Sequence, residues 1–121
     1  MKSMKNSILK DKSYAFAIRV VKLSQFSQSQ KKEFILSKQI LRSGTSIGAL
    51  IREAEFGQSK LDFIHKMSIA LKEANETEYW ISILKDTDYI DSTMYKSLIS
   101  DCKECIAMLV STLKTSKKIG K

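Results

Sequence analysis

Residues 59–86 read SKLDFIHKMSIALKEANETEYWISILKD, and this stretch decides the fold. Its apolar and small residues step alternately by four and three positions, which is the heptad seam of a helix packed in a left-handed bundle. A second apolar row beside the seam widens the apolar face. The segment therefore predicts a long amphipathic helix with an apolar face toward its neighbours. The seam residues are Phe63, Met67, Ala70, Ala74, Thr77, Ile81 and Leu84, and the second row is Ile64, Leu71 and Trp80.

Residues typical of helix ends lie on both sides of this helix. Gly57–Lys60 predicts a turn before it, where Ser59 and Asp62 form an approximate capping box. Asp86–Asp91 breaks the pattern after it, and Asp91 or Ser92 can cap a further helix. That further helix has apolar residues at helical spacing up to about residue 114, and its seams are Tyr95, Leu98, Cys102, Cys105 and Leu109 with Ile99, Ile106, Val110 and Leu113 alongside.

Two more helices are expected upstream. Tyr14–Phe26 carries a broad apolar stripe, and residues 27–30, SQSQ, predict the break that follows it. The next helix is expected over Lys32–Glu55, where Ser43–Gly48 could be a loop between two short helices or a close-packed part of one helix. We favour one helix, because the apolar phase continues across the patch even though glycine inside a helix costs about 1 kcal/mol.

Four amphipathic helices joined by short turns predict an all-α protein, an up-and-down antiparallel four-helix bundle. The bundle domain is expected over residues 13–115. Residues 1–12 are polar and rich in lysine, which predicts a flexible basic arm, and residues 116–121 predict a basic C-terminal tail.

Composition narrows the class of protein. The chain has 121 residues, 21 Lys and Arg against 13 Asp and Glu, no proline, two cysteines and one histidine. The cysteines are too few for a disulfide scaffold, which predicts a reducing, cytoplasmic setting. No apolar run reaches the ~18 residues of a membrane span, so no membrane association is expected. The missing prolines disfavour a turn-rich all-β fold.

Residues that could carry catalytic or metal chemistry each have a simpler explanation. Cys102 and Cys105 form a C-x-x-C on the apolar seam, so we expect buried reduced thiols. Asp62 and His65 have the spacing of half a di-iron motif, but a single histidine cannot supply the second half. Glu73, Glu76 and Glu78 are expected to lie on a solvated face or to pair with Lys or Arg of another subunit. The sequence thus predicts no enzyme, no metal and no cofactor.

The positive charge is the remaining signal, and it is uneven. The formal net charge is +8, of which residues 1–31 carry +6, whereas residues 57–87 carry −1. A basic first helix beside a nearly neutral remainder is typical of a surface that faces phosphate, although many lysine-rich surfaces only maintain solubility. If the basic residues of the first two helices share a face, the expected phosphate contacts are Arg19, Lys22, Lys38, Arg42 and Arg52. The alternative is a surface ion pair, such as Arg52 with Glu55, or Arg42 with a carboxylate across a subunit interface.

Two stretches resemble a known family. Residues 39–55, QILRSGTSIGALIREAE, and residues 59–80, SKLDFIHKMSIALKEANETEYW, are similar to the four-helix-bundle proteins called 23S rRNA intervening-sequence proteins. With the aromatic opening of the first helix, the resemblance covers about 100 of the 121 residues. Many relatives read Asn-Ile-Ala-Glu-Gly where this chain has Leu50–Glu55, so the resemblance is to a divergent branch.

The resemblance implies a ring-shaped homopentamer that associates with ribosomal RNA. Five copies at +8 would carry about +40, a strong field for a polyanion. The related accessory proteins of diversity-generating retroelements imply an alternative, a protein-interaction adaptor whose ring docks a protein partner such as a reverse transcriptase. The family supplies no catalytic residues. The apolar second rows of the third and fourth helices independently suggest an oligomer, because they exceed what one bundle would hide.

Overall fold

A computed structural model describes residues 4–119, with side chains described for residues 8–117. It contains four helices, α1 (Met4–Lys31), α2 (Leu36–Glu55), α3 (Lys60–Asp86) and α4 (Ser92–Ile119). Each helix packs against the next along the chain, and α4 closes on α1. The predicted all-α four-helix bundle is confirmed. None of the described helices is long and apolar enough to cross a bilayer.

The seam of α3 forms one wall of the core, as its periodicity predicts. Met67, Ala70, Ala74, Thr77 and Ile81 are buried together with Leu84, and Phe63 is half-buried at the edge. From α4, four residues of the predicted seam complete this side of the core, namely Leu98, Cys102, Cys105 and Leu109.

The second apolar rows of α3 and α4 are used within the bundle. Ile64, Leu71 and Trp80 are half-buried and pack against the core, and Ile99 and Leu113 are buried. One bundle therefore covers these rows in part, and their half-buried residues keep some apolar surface at the exterior. The exposed apolar residues lie elsewhere, most regularly on α1.

Residues 4–12, part of the segment 1–12 that was expected to be a flexible arm, form the first turns of α1. Leu9 is fully buried and anchors this end of the helix. Lys10 Nζ lies 3.0 Å from a carboxylate oxygen of Glu55, and Lys12 Nζ lies 3.0 Å from one of Glu104. Tertiary contacts thus hold a segment whose polar sequence alone would not fold. Residues 1–3 lie outside the described part of the chain.

The C-terminal boundary also moves, because α4 continues through Ile119 rather than ending near residue 115. The helix therefore includes most of the predicted basic tail of residues 116–121, and residues 120–121 lie outside the described range. The bundle spans at least residues 4–119, wider than the expected 13–115.

The turn between α1 and α2 lies later than expected, since the SQSQ stretch is helical and the chain turns at residues 32–35. Lys32 has a left-handed φ of 54°. The Glu33 carboxylate then accepts hydrogen bonds from the backbone N–H groups of Ile35, Leu36 and Ser37, at 3.0, 2.8 and 2.7 Å. One buried carboxylate therefore caps the start of α2, where free amide groups favour negative charge.

The glycine patch lies inside a continuous α2, as predicted. At Gly44 α2 lies close against α1, since a Cβ atom there would lie 2.7 Å from both γ-carbons of Val20. The hydroxyl of Ser43 accepts a hydrogen bond of 2.9 Å from Thr77 Oγ1 on α3. The small residues thus allow α2 to approach two neighbouring helices.

The predicted caps of α3 and α4 are also present. Ser59 Oγ accepts from the Asp62 backbone N–H at 3.1 Å, while the Asp62 carboxylate accepts from the backbone N–H of Gln58 rather than Ser59. At α4, Asp91 is the cap, because its Oδ1 accepts from the backbone N–H of Met94 at 2.8 Å.

Candidate nucleic-acid interface

Arg19 is engaged with α4. Its Nη1 lies 2.6 Å from Oδ2 of Asp101 and donates at 3.2 Å to the Ser97 carbonyl, and its Nη2 donates to Ser97 Oγ at 2.8 Å. This guanidinium ties α1 to α4, so a phosphate would have to share it with Asp101.

Arg42 is also neutralised, within its own chain. Its Nη1 lies 3.1 Å from Oε1 of Glu73, and its Nη2 contacts the carboxylate of Glu76. Glu76 in turn accepts a hydrogen bond of 2.9 Å from the indole N–H of Trp80. The ion-pair alternative is the observed one for Arg42, but the carboxylates come from α3 rather than from a second subunit.

Arg52 does not pair with Glu55, which instead binds Lys10. Its guanidinium carbon lies 5.6 Å from the centre of the Tyr14 ring, a cation–π arrangement at the surface between α1 and α2. The charge of Arg52 is therefore exposed, and no carboxylate within the described part of the chain forms an ion pair with it.

Of the five predicted phosphate contacts, Lys22 and Lys38 are the two lysines, and their charges are the most available to a ligand. Both are exposed, and neither forms an ion pair with any carboxylate of the described residues. A lysine without a local counterion can exchange solvent ions for phosphate at little cost.

The five predicted residues do not share one face. Lys38, Arg42 and Arg52 follow the outer face of α2, spaced by four and ten residues, and we call them the α2 line. Arg19 and Lys22 lie on the side of α1 that faces α4, and we call them the α1 pair. The α1 pair and the α2 line are thus two separate sets of cations, because Arg19 is bonded to α4 whereas Arg42 pairs with α3.

Next to the α1 pair is a groove that sequence reasoning missed. The groove has a volume of about 390 Å³ and lies where α1 and α4 meet, the least closely packed of the adjacent helix pairs. No pattern in the sequence indicates it, because it depends on how two distant helices diverge. Its lining residues are Arg19, Lys22, Leu23, Phe26, Met94 and Leu98.

The two cysteines are buried free thiols, as expected. Burial raises the pKa of Cys102 to about 12 and that of Cys105 to about 11, from the ordinary 9.0, with neighbouring charge adding to the effect. Such thiols are poor nucleophiles and poor metal ligands at neutral pH. Among the residues with described structure, no group of three or more His, Cys, Asp or Glu is placed to hold a metal ion.

These raised pKa values predict a loss of stability in alkali. The native thiols stay protonated while unfolded thiols ionise from 9.0 upward, so this contribution is complete below pH 9.0 and is lost as pH rises toward 11 and 12. We expect each thiol to add a decline of about 1.4 kcal/mol per pH unit in that window. Urea unfolding of the wild type and of Cys102→Ala/Cys105→Ala across the window isolates the thiol part, and equal pH slopes would contradict it.

Comparisons with known proteins converge on one family. A family model described as "23S rRNA-intervening sequence protein" matches residues 5–111. A crystal structure of a protein of unknown function from the S23 ribosomal protein family of Bacteroides thetaiotaomicron is 56% identical, with a TM-score of 0.91. That match covers 92% of this chain and 99% of the other. No curated protein matches the sequence.

Proposed function

The chain belongs to the 23S rRNA-intervening sequence protein family, and we propose that it is a non-enzymatic, oligomeric, cytoplasmic protein that associates with RNA through basic surface residues. The observation that carries the proposal is that two of its exposed lysines have no carboxylate partner among the described residues. Lys22 and Lys38 are exposed without a counterion from the described residues, on a chain with a formal net charge of +8. The name of the family and the ribosomal-protein family of the similar crystal structure favour ribosomal RNA as the polyanion.

The pairing of the other cations supports a division of roles. Arg19 and Arg42 are bound to carboxylates of α4 and α3, so they stabilise the bundle more than they attract phosphate. Lys22, Lys38 and Arg52 keep their charge available to a ligand. Lys22 lies on α1, whereas Lys38 and Arg52 lie on α2, so one subunit has two separate basic places. An oligomer would repeat both places around its axis.

Support for an oligomer comes from α1. Tyr14, Ile18 and Val21 are 56%, 42% and 36% exposed, and their spacing of four and three residues places them on one face. An exposed apolar row of this kind is a common feature of subunit interfaces. We propose that copies of the chain associate through this row, in the pentamer that the family resemblance implies.

The direct test is the salt dependence of RNA binding. We expect a fluorescently labelled fragment of 23S rRNA to bind at low salt, with log K falling by about 0.9 per phosphate contact for each unit of log salt concentration. Two lysines per engaged subunit predict a slope of about −2 or steeper. Light scattering on the same samples gives the number of subunits. Absence of binding at low salt by the folded protein would remove the proposal.

A second candidate, the protein-interaction adaptor, is favoured by the turn between α2 and α3. Phe56 in that turn and Leu61, the second residue of α3, are 81% and 79% exposed, an uncommon setting for two large apolar residues. If RNA does not bind while a purified reverse transcriptase forms a stable complex that Phe56→Ser weakens, the adaptor replaces the RNA proposal.

A further inference from the structure

The groove between α1 and α4 combines an apolar floor with a cationic rim. Leu23, Phe26, Met94 and Leu98 supply the apolar surface, and Lys22 supplies the positive charge, since Arg19 is already paired with Asp101. None of the six lining residues is acidic. A volume of about 390 Å³ falls within the range of sites that hold one small ligand or one group of a larger one. The chemistry therefore fits a flat or apolar group that carries a negative charge beside it.

We propose that this groove receives a single unpaired nucleotide of an RNA strand, with its base against Phe26 and Met94 and its phosphate at Lys22. The inference rests on the proposed RNA association and specifies which form of RNA the site recognises. Bases that are free of a duplex stack on aromatic side chains, whereas a base within a helix cannot enter such a groove.

Charge complementarity favours a polyanion as the occupant. The segment of residues 12–32 contains five Lys and Arg residues and no Asp or Glu, and two of them, Arg19 and Lys22, line the groove. Lys31 Nζ lies 6.0 Å from the centre of the Phe26 ring, which places a second exposed cation next to the proposed stacking residue. Arg19 is held by Asp101 and Ser97, so Lys22 is the lining cation that is available to the phosphate.

The test compares two RNA probes and two matched variants. The probes are a short labelled oligo-uridine and a fully paired duplex of the same length. Phe26→Leu removes the ring but keeps an apolar side chain in the groove, and Phe34→Leu makes the same change at a half-exposed residue outside the groove. We expect Phe26→Leu to weaken oligo-uridine binding by about tenfold and to leave duplex binding unchanged. Phe34→Leu should change neither affinity.

Photo-crosslinking provides a second readout that does not depend on a variant. Oligo-uridine carrying iodouridine should crosslink to the peptide that contains Phe26 or the one that contains Met94. Crosslinks only to other peptides would overturn the proposal.

Other results would also overturn it. If Phe26→Leu weakened binding of both probes equally, or did not weaken binding of oligo-uridine, the groove would not be the site of an unpaired nucleotide. The proposed RNA association would be unaffected by either result. Oleate that binds with Phe26-dependence but does not compete with oligo-uridine would assign the groove to a fatty acid. A changed subunit number in Phe26→Leu would assign it to a second copy of the chain. Failure of both probes to bind the wild type would remove the proposed function as well.

Discussion

Replacing Gly44 by alanine should lower the free energy of unfolding by about 1–3 kcal/mol, although alanine is the better helix former by about 1 kcal/mol. The added Cβ would lie 2.7 Å from both γ-carbons of Val20, well inside van der Waals contact. Valine cannot turn aside easily, because branching at Cβ restricts its χ1 angle and its side chain is fully buried. Relief therefore requires α1 and α2 to separate, which loosens the neighbouring core.

Gly48 provides the matched control, four residues along the same face of α2. A Cβ atom there would meet Ser13 Oγ at 3.4 Å and the Ser13 carbonyl at 3.5 Å, which are ordinary contacts. We expect Gly48→Ala to leave stability unchanged or raise it by up to about 1 kcal/mol. Urea unfolding measures both variants.

The double variant Gly44→Ala/Val20→Ala isolates the clash itself. Its loss of stability should be smaller than the sum of the two single losses, because removing the γ-carbons of Val20 makes room for the new methyl group. Additive losses, or a Gly44→Ala protein as stable as the wild type, would contradict the assignment of Gly44 as a close-approach residue.

The sequence predicts α3 and the continuity of α2 well for the same reason. Along α3 the apolar residues keep one phase from Phe63 to Leu84, and a phase of that length is compatible with little except a helix. In α2 the phase persists through Gly44, so tertiary packing outweighs the cost of glycine. Both predictions depend only on residues that are near each other in the chain.

Predictions that depend on distant residues fail. The first turns of α1 are polar, and they are held by Leu9 and by contacts to Glu55 and Glu104, which lie 45 and 92 residues away in the chain. The polar SQSQ stretch predicts a break, but Ser27 accepts at its carbonyl from the Glu33 N–H across the real turn. Propensity and patterning contain no information about such partners.

The candidate interface shows the same limit. Lys22 and Lys38 are exposed, but the sequence cannot reveal that Arg19 meets Asp101 82 residues later, or that Arg42 meets the two glutamates of α3. A count of basic residues treats all five alike. The structure separates them into neutralised and available charges, and this separation leads to a residue-specific prediction.

Replacing Lys22 and Lys38 together by glutamine should weaken binding of the 23S rRNA fragment by about 100-fold at roughly 50 mM salt. Each lysine that contacts a phosphate releases about one condensed cation, so losing two contacts should also flatten the slope of log K against log salt by about 2. Both side chains are exposed and outside the core, so the free energy of unfolding should change little.

The control removes the same net charge at two paired lysines. Lys66 Nζ lies 3.1 Å from Oε1 of Glu53, and Lys85 Nζ lies 3.7 Å from Oδ1 of Asp86. If the available cations bind RNA, Lys66→Gln/Lys85→Gln should keep most of the affinity and the original slope, because those charges already have counterions. If both double variants lose affinity and slope equally, RNA responds only to net charge, and Lys22 and Lys38 are not specific contacts. A loss confined to the first double variant requires phosphates to meet the protein beside the groove of α1 and on the α2 line.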